Sequence, residues 1–440
     1  AEVTTVSRRA AGLSPLEMAQ DLASKPDNDW QDLMFGPALM QNYALSVKGG
    51  GKYSTYYNSV GYTNQDGVMK GTNYQRYTLQ SKQDFKKGIF QAGTNVVLTY
   101  DQSNPLYSVI RGGMVGHTLQ AIPTWEQYDE NRTGGYGGLC GDVVNLTHPL
   151  GMVDDNLMKR YSDNVKIFAN AYVSVELMKG LKYKLNLTPD FQFYRYNSYE
   201  GLFDFGLAKH DITAVTEQQT RTRNILVENL LTFDRTFGDH KVSALVGYTY
   251  QDSRYRYMQG SGQGMPTGIT EIDAASQGLA VSGNSSRSVL TSILGRAFYS
   301  YKNRYLLTAT IRRDGSSKFG ANHKWGWFPS VSAAWGISQE AFMQDISWLN
   351  DLKLRAGYGV TGNQDGLKPY KSLELYQPYG TYYNGGGTST SFRITQNPNP
   401  DLKWESTAMF NIGVDFQLFN GRLGGTGEYY SKKTSDMLYD

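Results

Sequence analysis

Few residues of this chain have the types and spacing that chemistry needs. The stretch "GGYGGLCG" (residues 134–141) is glycine-rich enough to wrap a phosphate. It lacks the Gly-Lys-Ser/Thr ending and the helix pattern that a phosphate loop requires, and a surface loop explains it. Cys140 is the single cysteine, so an intramolecular disulfide is excluded and a structural zinc would need other ligands. As a nucleophile it would need a base and an orienting partner. His148 is near in sequence, while His117, His210, His240 and His323 are scattered. Asp154-Asp155, or Asp190 with Glu200, offer carboxylates to calcium, but without EF-hand spacing they read as solvated loop residues. "RRDGSSKFG" reads as a Gly-Ser turn flanked by basic residues. From these residues no catalytic site, no metal site and no cofactor is expected.

Loop aromatics are the remaining candidates. Trp125, Tyr128 and Tyr136 lie in the longest connection, and Tyr379, Tyr382 and Tyr383 lie in "YQPYGTYYNGGG". Sugars stack their apolar faces on such rings, and peptides pack against them. Girdle and loop-packing tyrosines are the ordinary alternative for each residue taken singly. These six are the candidate substrate-binding residues.

What must position them is a β architecture. At 440 residues the chain has the length of roughly two or three soluble domains. Yet hydrophobic residues make up only 40%, and the mean hydropathy is −0.49, so polar residues occupy much of what would be core. Tyr (33) and Gly (48) are abundant, as in large β-barrels, where Tyr sits at membrane interfaces and Gly at bends. The net charge of +3 is too small to imply nucleic acid, and no basic run is interleaved with aromatics. No apolar run reaches the ~18 residues of a transmembrane helix. The terminal features read as those of an internal piece of a longer protein.

Residues 1–39 read as a short helical and irregular external segment. Ser14, Pro15 and Glu17 stand in capping-box order, which predicts a helix from about Pro15 to Leu22, and "DNDWQDLMF" reads as a second turn or short helix. From residue 40 the period becomes two. Val165, Ile167, Ala169, Ala171, Val173, Val175 and Leu177 alternate with Lys166, Phe168, Asn170, Tyr172, Ser174 and Glu176. The same reading places about fourteen strands: 40–48, 52–63, 73–86, 89–101, 165–177, 181–188, 218–236, 240–257, 286–301, 304–314, 327–337, 351–361, 404–419 and 422–434.

Connection lengths alternate. One set is tight: 49–51, 87–88, 179–180, 238–239, 302–303 and 420–421, with 338–350 enlarged by a helical turn capped by Ser338. The other set is mostly long: 102–161, 197–217, 258–285, 315–326 and 362–402, with 64–72 short. Soluble sandwiches follow no such sidedness rule, whereas outer-membrane barrels have short periplasmic turns and long external loops. Residues 40–440 are therefore read as part of an antiparallel transmembrane β-barrel. Phe410, Ile412, Val414, Phe416 and Leu418 face lipid, and Asn411, Asp415 and Gln417 face a wet lumen with Lys182, Lys184, Lys353 and Arg355.

Four stretches carry a family resemblance: "DNDWQDLMFGPALMQNYALSVKGGGKYSTYYNSVGYTNQDGVMKGTNYQRYTLQSKQDF", "RRDGSSKFGANHKWGWFPSVSAAWGISQEAFM", "WLNDLKLRAGYGVTGNQ" and "NPDLKWESTAMFNIGVDFQLFNGRLGGTGEYYSKKTSDMLYD". In sequence and order they resemble the barrels of SusC/RagA-type TonB-dependent transporters of Bacteroidetes. The resemblance implies an all-β barrel of about 22 strands filled by an N-terminal plug. It implies coupling to TonB, a SusD-like lid lipoprotein, residence in the Gram-negative outer membrane, and import of glycan oligosaccharides or peptides without enzymatic chemistry. The plug, the TonB box, the first barrel strand and roughly the last third of the barrel have no counterpart among these residues. Three rivals remain at this stage. They are a siderophore-type receptor or passive porin, an outer-membrane barrel enzyme, and a soluble β-rich adhesin.

Overall fold

The computed structural model describes residues 10–12, 22–105, 113–138, 146–206, 208–343 and 345–438. The helix expected over 15–22 falls almost wholly outside them, as does Cys140. The second helix is present at Trp30–Met34, where the Asp29 carboxylate accepts from the backbone of Gln31 and Asp32.

The strands are β1 (Met40–Gly50), β2 (Ser54–Asp66), β3 (Asn73–Lys87), β4 (Phe90–Asn104), β5 (Met158–Met178), β6 (Leu181–Glu200), β7 (Phe203–Asp204), β8 (Lys209–His210) and β9 (Ala214–Phe237). They continue with β10 (His240–Gln263), β11 (Gln277–Tyr301), β12 (Tyr305–Ser316), β13 (Trp325–Gly336), β14 (Leu349–Asn363), β15 (Leu375–Tyr383), β16 (Thr388–Gln396), β17 (Glu405–Leu418) and β18 (Leu423–Ser435). Fourteen of them form one antiparallel sheet in the order β1-β2-β3-β4-β5-β6-β9-β10-β11-β12-β13-β14-β17-β18. Among the described residues each strand of this sheet thus pairs with its sequence neighbours in the sheet, and β1 and β18 are not paired to each other. The wall is an open one. The pairs β7-β8 and β15-β16 are separate hairpins inside two of the long connections.

The tight turns fall where the sequence places them. Lys302 and Asn303 have φ of 53° and 55°, the left-handed pair at the centre of a tight turn that the Arg304 N–H closes onto the Tyr301 carbonyl at 2.9 Å. Gly180 has φ of 86°, and a Cβ there would stand 2.4 Å from the Asp234 carbonyl oxygen, so only glycine fits. Two expectations need correction. The final hairpin turns over 419–422 rather than over two residues: Leu418 pairs with Leu423, Phe419, Asn420 and Gly421 all take positive φ, and the Asn350 side chain accepts from the backbone of Asn420 at 2.6 Å. The enlarged turn is two 3-10 segments, Ile337–Gln339 and Ala341–Met343, and Ser338 caps neither. It sits within the first, and its hydroxyl donates to Asp351 at 2.8 Å.

Register keeps the two faces distinct across the sheet. Tyr43, Tyr62, Tyr77 and Tyr100 are mutual partners on β1 to β4, with ring centroids 6.4, 4.9 and 6.3 Å apart. Phe410, Ile412 and Val414 are exposed on that same apolar face, opposite Tyr358, Ala356 and Leu354. The other face is a polar lattice. Arg355 reaches Asp415 at 3.3 Å and Glu428 at 3.0 Å, the Tyr172 hydroxyl donates to Asp84 at 2.7 Å, and the Lys184 ammonium lies 4.4 Å over the Tyr172 ring. An apolar surface without a core partner on one face and a hydrogen-bonded lattice on the other is what a two-solvent wall demands.

Candidate functional site

The long connections gather at one end of the sheet and, among the described residues, build four small cores, two of which bear on the candidate residues. The first joins Trp30, Met34, Met69, Met114, Trp125, Leu146, Leu150 and Met152 from the helix Trp30–Met34, the 67–72 connection and the β4–β5 connection. A connection this long packs on its own apolar side chains, because removing them from water is favourable and holds the loop compact. The indole of Trp30 donates to the Ile122 carbonyl at 2.7 Å, and that of Trp125 to the Gly137 carbonyl at 2.9 Å. The Trp125 ring lies 5.6 Å from Trp30 and 4.7 Å from His148. Trp125 is 2% exposed, so it supports this core and presents no ring face outward.

Tyr136 is half-buried beside that core, and its hydroxyl donates to Asp154 at 2.9 Å. Burial, reinforced by Asp154, raises its pKa well above the ordinary phenol value. Tyr128 packs 5.5 Å from Tyr136 and is 63% exposed. The first group of candidates thus splits into a buried Trp125, a half-buried Tyr136 and an open Tyr128.

The second core holds Phe319, Phe328, Leu367 and Trp404, and locks the β12–β13 connection to the β14–β17 connection. The Trp404 indole donates to the Lys324 carbonyl at 3.1 Å. A Cβ on Gly320 would stand 2.0 Å from the Pro400 carbonyl, so "SSKFG" and "NPDLKWE" fit together only with glycine there. From this base the β15-β16 hairpin projects. Tyr379, Tyr382 and Tyr383 are all exposed on it, with the Arg393 guanidinium 4.7 Å over the Tyr379 ring. Tyr376 and Phe392 are exposed on the same hairpin and add to the six candidates. Tyr376 opens the stretch "YQPYGTYYNGGG" itself, and Phe392 alternates with Ile394 in "FRIT".

The nucleophile and metal candidates resolve into structure. His148 Nδ1 accepts from the Gly151 backbone, and Nε2 lies 3.1 Å from the Glu126 carbonyl, so both ring nitrogens are engaged. Asp154 holds the backbone of Asn156 as well as Tyr136. Glu200 faces Arg160 and His210, while Asp190 faces Lys166. Among the described residues no three His, Cys, Asp or Glu side chains cluster as metal ligands.

Burial lowers the His148 pKa from 6.5 to about 4, partly offset by the Glu126 carbonyl. The folded loop therefore holds a neutral imidazole that takes a proton on opening. The stability it lends is full above pH 6.5 and is lost as pH falls toward 4, by about 3 kcal/mol at the limit. In the full-length protein, hydrogen exchange of residues 113–138, corrected for its intrinsic pH dependence, is expected to quicken between pH 7 and pH 4.5. His148→Phe is expected to raise exchange at both pH values and flatten that difference. A difference unchanged by the substitution would assign it to another group.

The comparisons with known proteins agree with this architecture. The family model described as TonB dependent receptor-like, beta-barrel matches residues 19–440. TonB-dependent receptor P26 of Formosa agariphila is 30% identical over 439 residues, which cover 96% of this chain and 42% of that protein. TonB-dependent receptor SusC of Bacteroides thetaiotaomicron is 28% identical over 94% of this chain and 43% of that protein. The chain thus spans less than half the length of these curated relatives. Among solved structures, that of the RagAB peptide transporter superposes with a TM-score of 0.81 at 22% identity, over 96% of this chain and 47% of that one, a likeness of fold. These are receptors and transporters, not enzymes. With a two-faced meander of fourteen strands and a family match running from residue 19 to residue 440, the chain belongs to the TonB-dependent receptor-like β-barrel family.

Proposed function

We propose that this chain is wall and external loops of a TonB-dependent outer-membrane importer of oligosaccharides or peptides. The observation that carries the reading is sidedness. The tight turns lie at one end of a sheet whose apolar face is exposed among the described residues, and the folded loops with their exposed tyrosines lie at the other. In this reading the apolar face meets lipid, the polar lattice lines the lumen, and the loops face the cell exterior. The exposed rings of Tyr128, Tyr379, Tyr382 and Tyr383 are the stacking surfaces for substrate, with Tyr136 and Trp125 holding the first loop in shape. A SusD-like lipoprotein closes the mouth, and TonB engages the part of the protein that precedes the barrel. The likeness of fold to the RagAB peptide transporter supports keeping a peptide among the candidate cargoes.

Growth on the cognate oligosaccharide or peptide tests the proposal in a strain carrying the full-length gene. Deletion of TonB is expected to abolish uptake, and deletion of the adjacent lid lipoprotein to weaken it severely. Uptake that persists without TonB would replace the active importer by a passive pore.

A further inference from the structure

The apolar face carries an unexpected feature at its upper limit, toward the long loops. On β9 this face runs Phe233, Leu231, Asn229, Val227, Ile225 and then turns to Arg223 and Arg221. On β10 it runs Val242, Ala244, Val246, Tyr248, Tyr250 and then turns to Asp252, Arg254 and Arg256, and on β11 it runs Ile293, Thr291, Val289 and then Arg287. The change falls at one level on all three strands. Ile225, Asp252 and Val289 are mutual partners, and in the next row so are Arg223, Arg254 and Arg287. Arg221 and Arg256 oppose each other one row above.

Like charges directly opposite one another destabilise a sheet unless something else binds them. Asp252, buried at the centre, meets Arg287 at 3.0 Å, Arg254 at 3.3 Å and Arg223 at 3.6 Å. One carboxylate cannot balance five guanidinia. Arg221 and Arg256 make no ion pair among the described residues, and the buried Nε of Arg223 has no hydrogen-bond partner. The next carboxylate on this face of β9, Glu217, lies two rows higher, opposite Gly260. Beside Arg287 a groove of about 580 Å³ opens, lined by Val289, Phe319, Lys324, Tyr370 and Pro400 among others.

We propose that this arginine shelf is a binding site for the phosphorylated headgroup of an outer-leaflet glycolipid. The inference rests on the reading of the apolar face as lipid-facing. An acyl layer along Ile225, Tyr250 and Val289 brings the headgroups to the level of the arginine rows. Guanidinium forks match phosphate oxygens bidentately, and neighbouring strands ~4.8 Å apart set the forks at a spacing one phosphate can bridge. The adjoining groove gives the ligand's apolar portion a place beside Arg287.

The test uses the full-length protein purified in detergent, with lipid A and enzymatically dephosphorylated lipid A as probes, read by native mass spectrometry and by titration in mixed micelles. The wild type is expected to favour the phosphorylated lipid by roughly ten-fold or more, given charge-assisted hydrogen bonds. Arg221→Gln with Arg256→Gln, a pair that leaves the Asp252 cluster intact, is expected to remove most of that preference. Arg254→Gln with Arg287→Gln is expected to remove it further. Equal binding of the two lipids, or a double variant that binds as the wild type does while remaining folded by circular dichroism, would overturn the site. Displacement by millimolar inorganic phosphate would overturn the lipid assignment in favour of a free anion. TonB-dependent uptake, measured separately, keeps the two readings apart. A protein that imports normally yet shows no phosphate preference overturns the shelf alone, and one that binds the lipid but does not import overturns the import reading alone.

Discussion

Arginine at Val173 is expected to destabilise the barrel by roughly 2–4 kcal/mol, while arginine one residue on, at Ser174, is expected to cost at most about 1 kcal/mol. Val173 is 50% exposed on the apolar face of β5, opposite Ala92 and Leu185. It lies six residues from the turn at Lys179-Gly180, about 15 Å up a tilted strand and so near the middle of a membrane band. On the lipid-facing reading of this face, a guanidinium there meets only hydrocarbon. Ser174 points to the polar face, opposite Gln91 and Lys184, where a guanidinium meets water and the one penalty is repulsion from that lysine. Ser174→Gln removes even that and is expected to be neutral. Reversible unfolding of the full-length protein in bilayers or micelles measures the three variants. Equal losses for arginine at the two positions would refute both the register and the reading of the faces.

The contrast shows why so much of this fold is legible in sequence. Where a strand divides two solvents, each position has one admissible polarity, and period-two alternation survives unblurred. Fourteen strands, their order and the side of every quoted residue on β5, β14 and β17 follow from it. Above the membrane level the argument fails, because both faces become polar. "GLAVSGNSS" at the start of β11 reads as loop, yet it pairs with β10 up to Gln277 opposite Gln263, so the wall rises nine residues beyond the expected Ser286. The β15-β16 hairpin escapes for another reason. Pro378 forfeits a backbone donor, and the structure accommodates it by a register shift between Pro378 and Gly380 that no periodicity reveals.

The site is less legible than the fold. An aromatic residue in a loop has two fates, packing or display, and the chain decides by long-range contacts. Trp125 is buried because Trp30, 95 residues earlier, reaches it, and nothing within "IPTWEQYDE" announces that partner. Tyr382 and Tyr383 remain displayed because their hairpin stands clear of the sheet. The arginine shelf was open to sequence reading. "RTR" in β9, "RYR" in β10 and Arg287 in β11 are visible singly, but only register brings them to one level.

Expressed alone, the 440-residue chain is expected to give no stable single-channel conductance and to aggregate on refolding into lipid. Strand number does not forbid closure, since barrels of fewer strands exist. The obstacle is pairing. Among the described residues β1 is bonded only to β2 and β18 only to β17, so two edges expose backbone donors and acceptors that hydrocarbon cannot satisfy. An edge of eleven residues, the length of β1, leaves several such groups at membrane depth at a cost of several kcal/mol each, far more than a domain's net stability. Within the full-length protein the same edges are expected to find strand partners and the wall to close. Planar-bilayer recordings of the isolated chain and the full-length protein, refolded side by side, decide the matter. Long-lived conductance from the isolated chain would mean that β1 and β18 can pair and that fourteen strands make a barrel by themselves. The wall would then be a self-sufficient pore, and the import reading would have to do without any further strands.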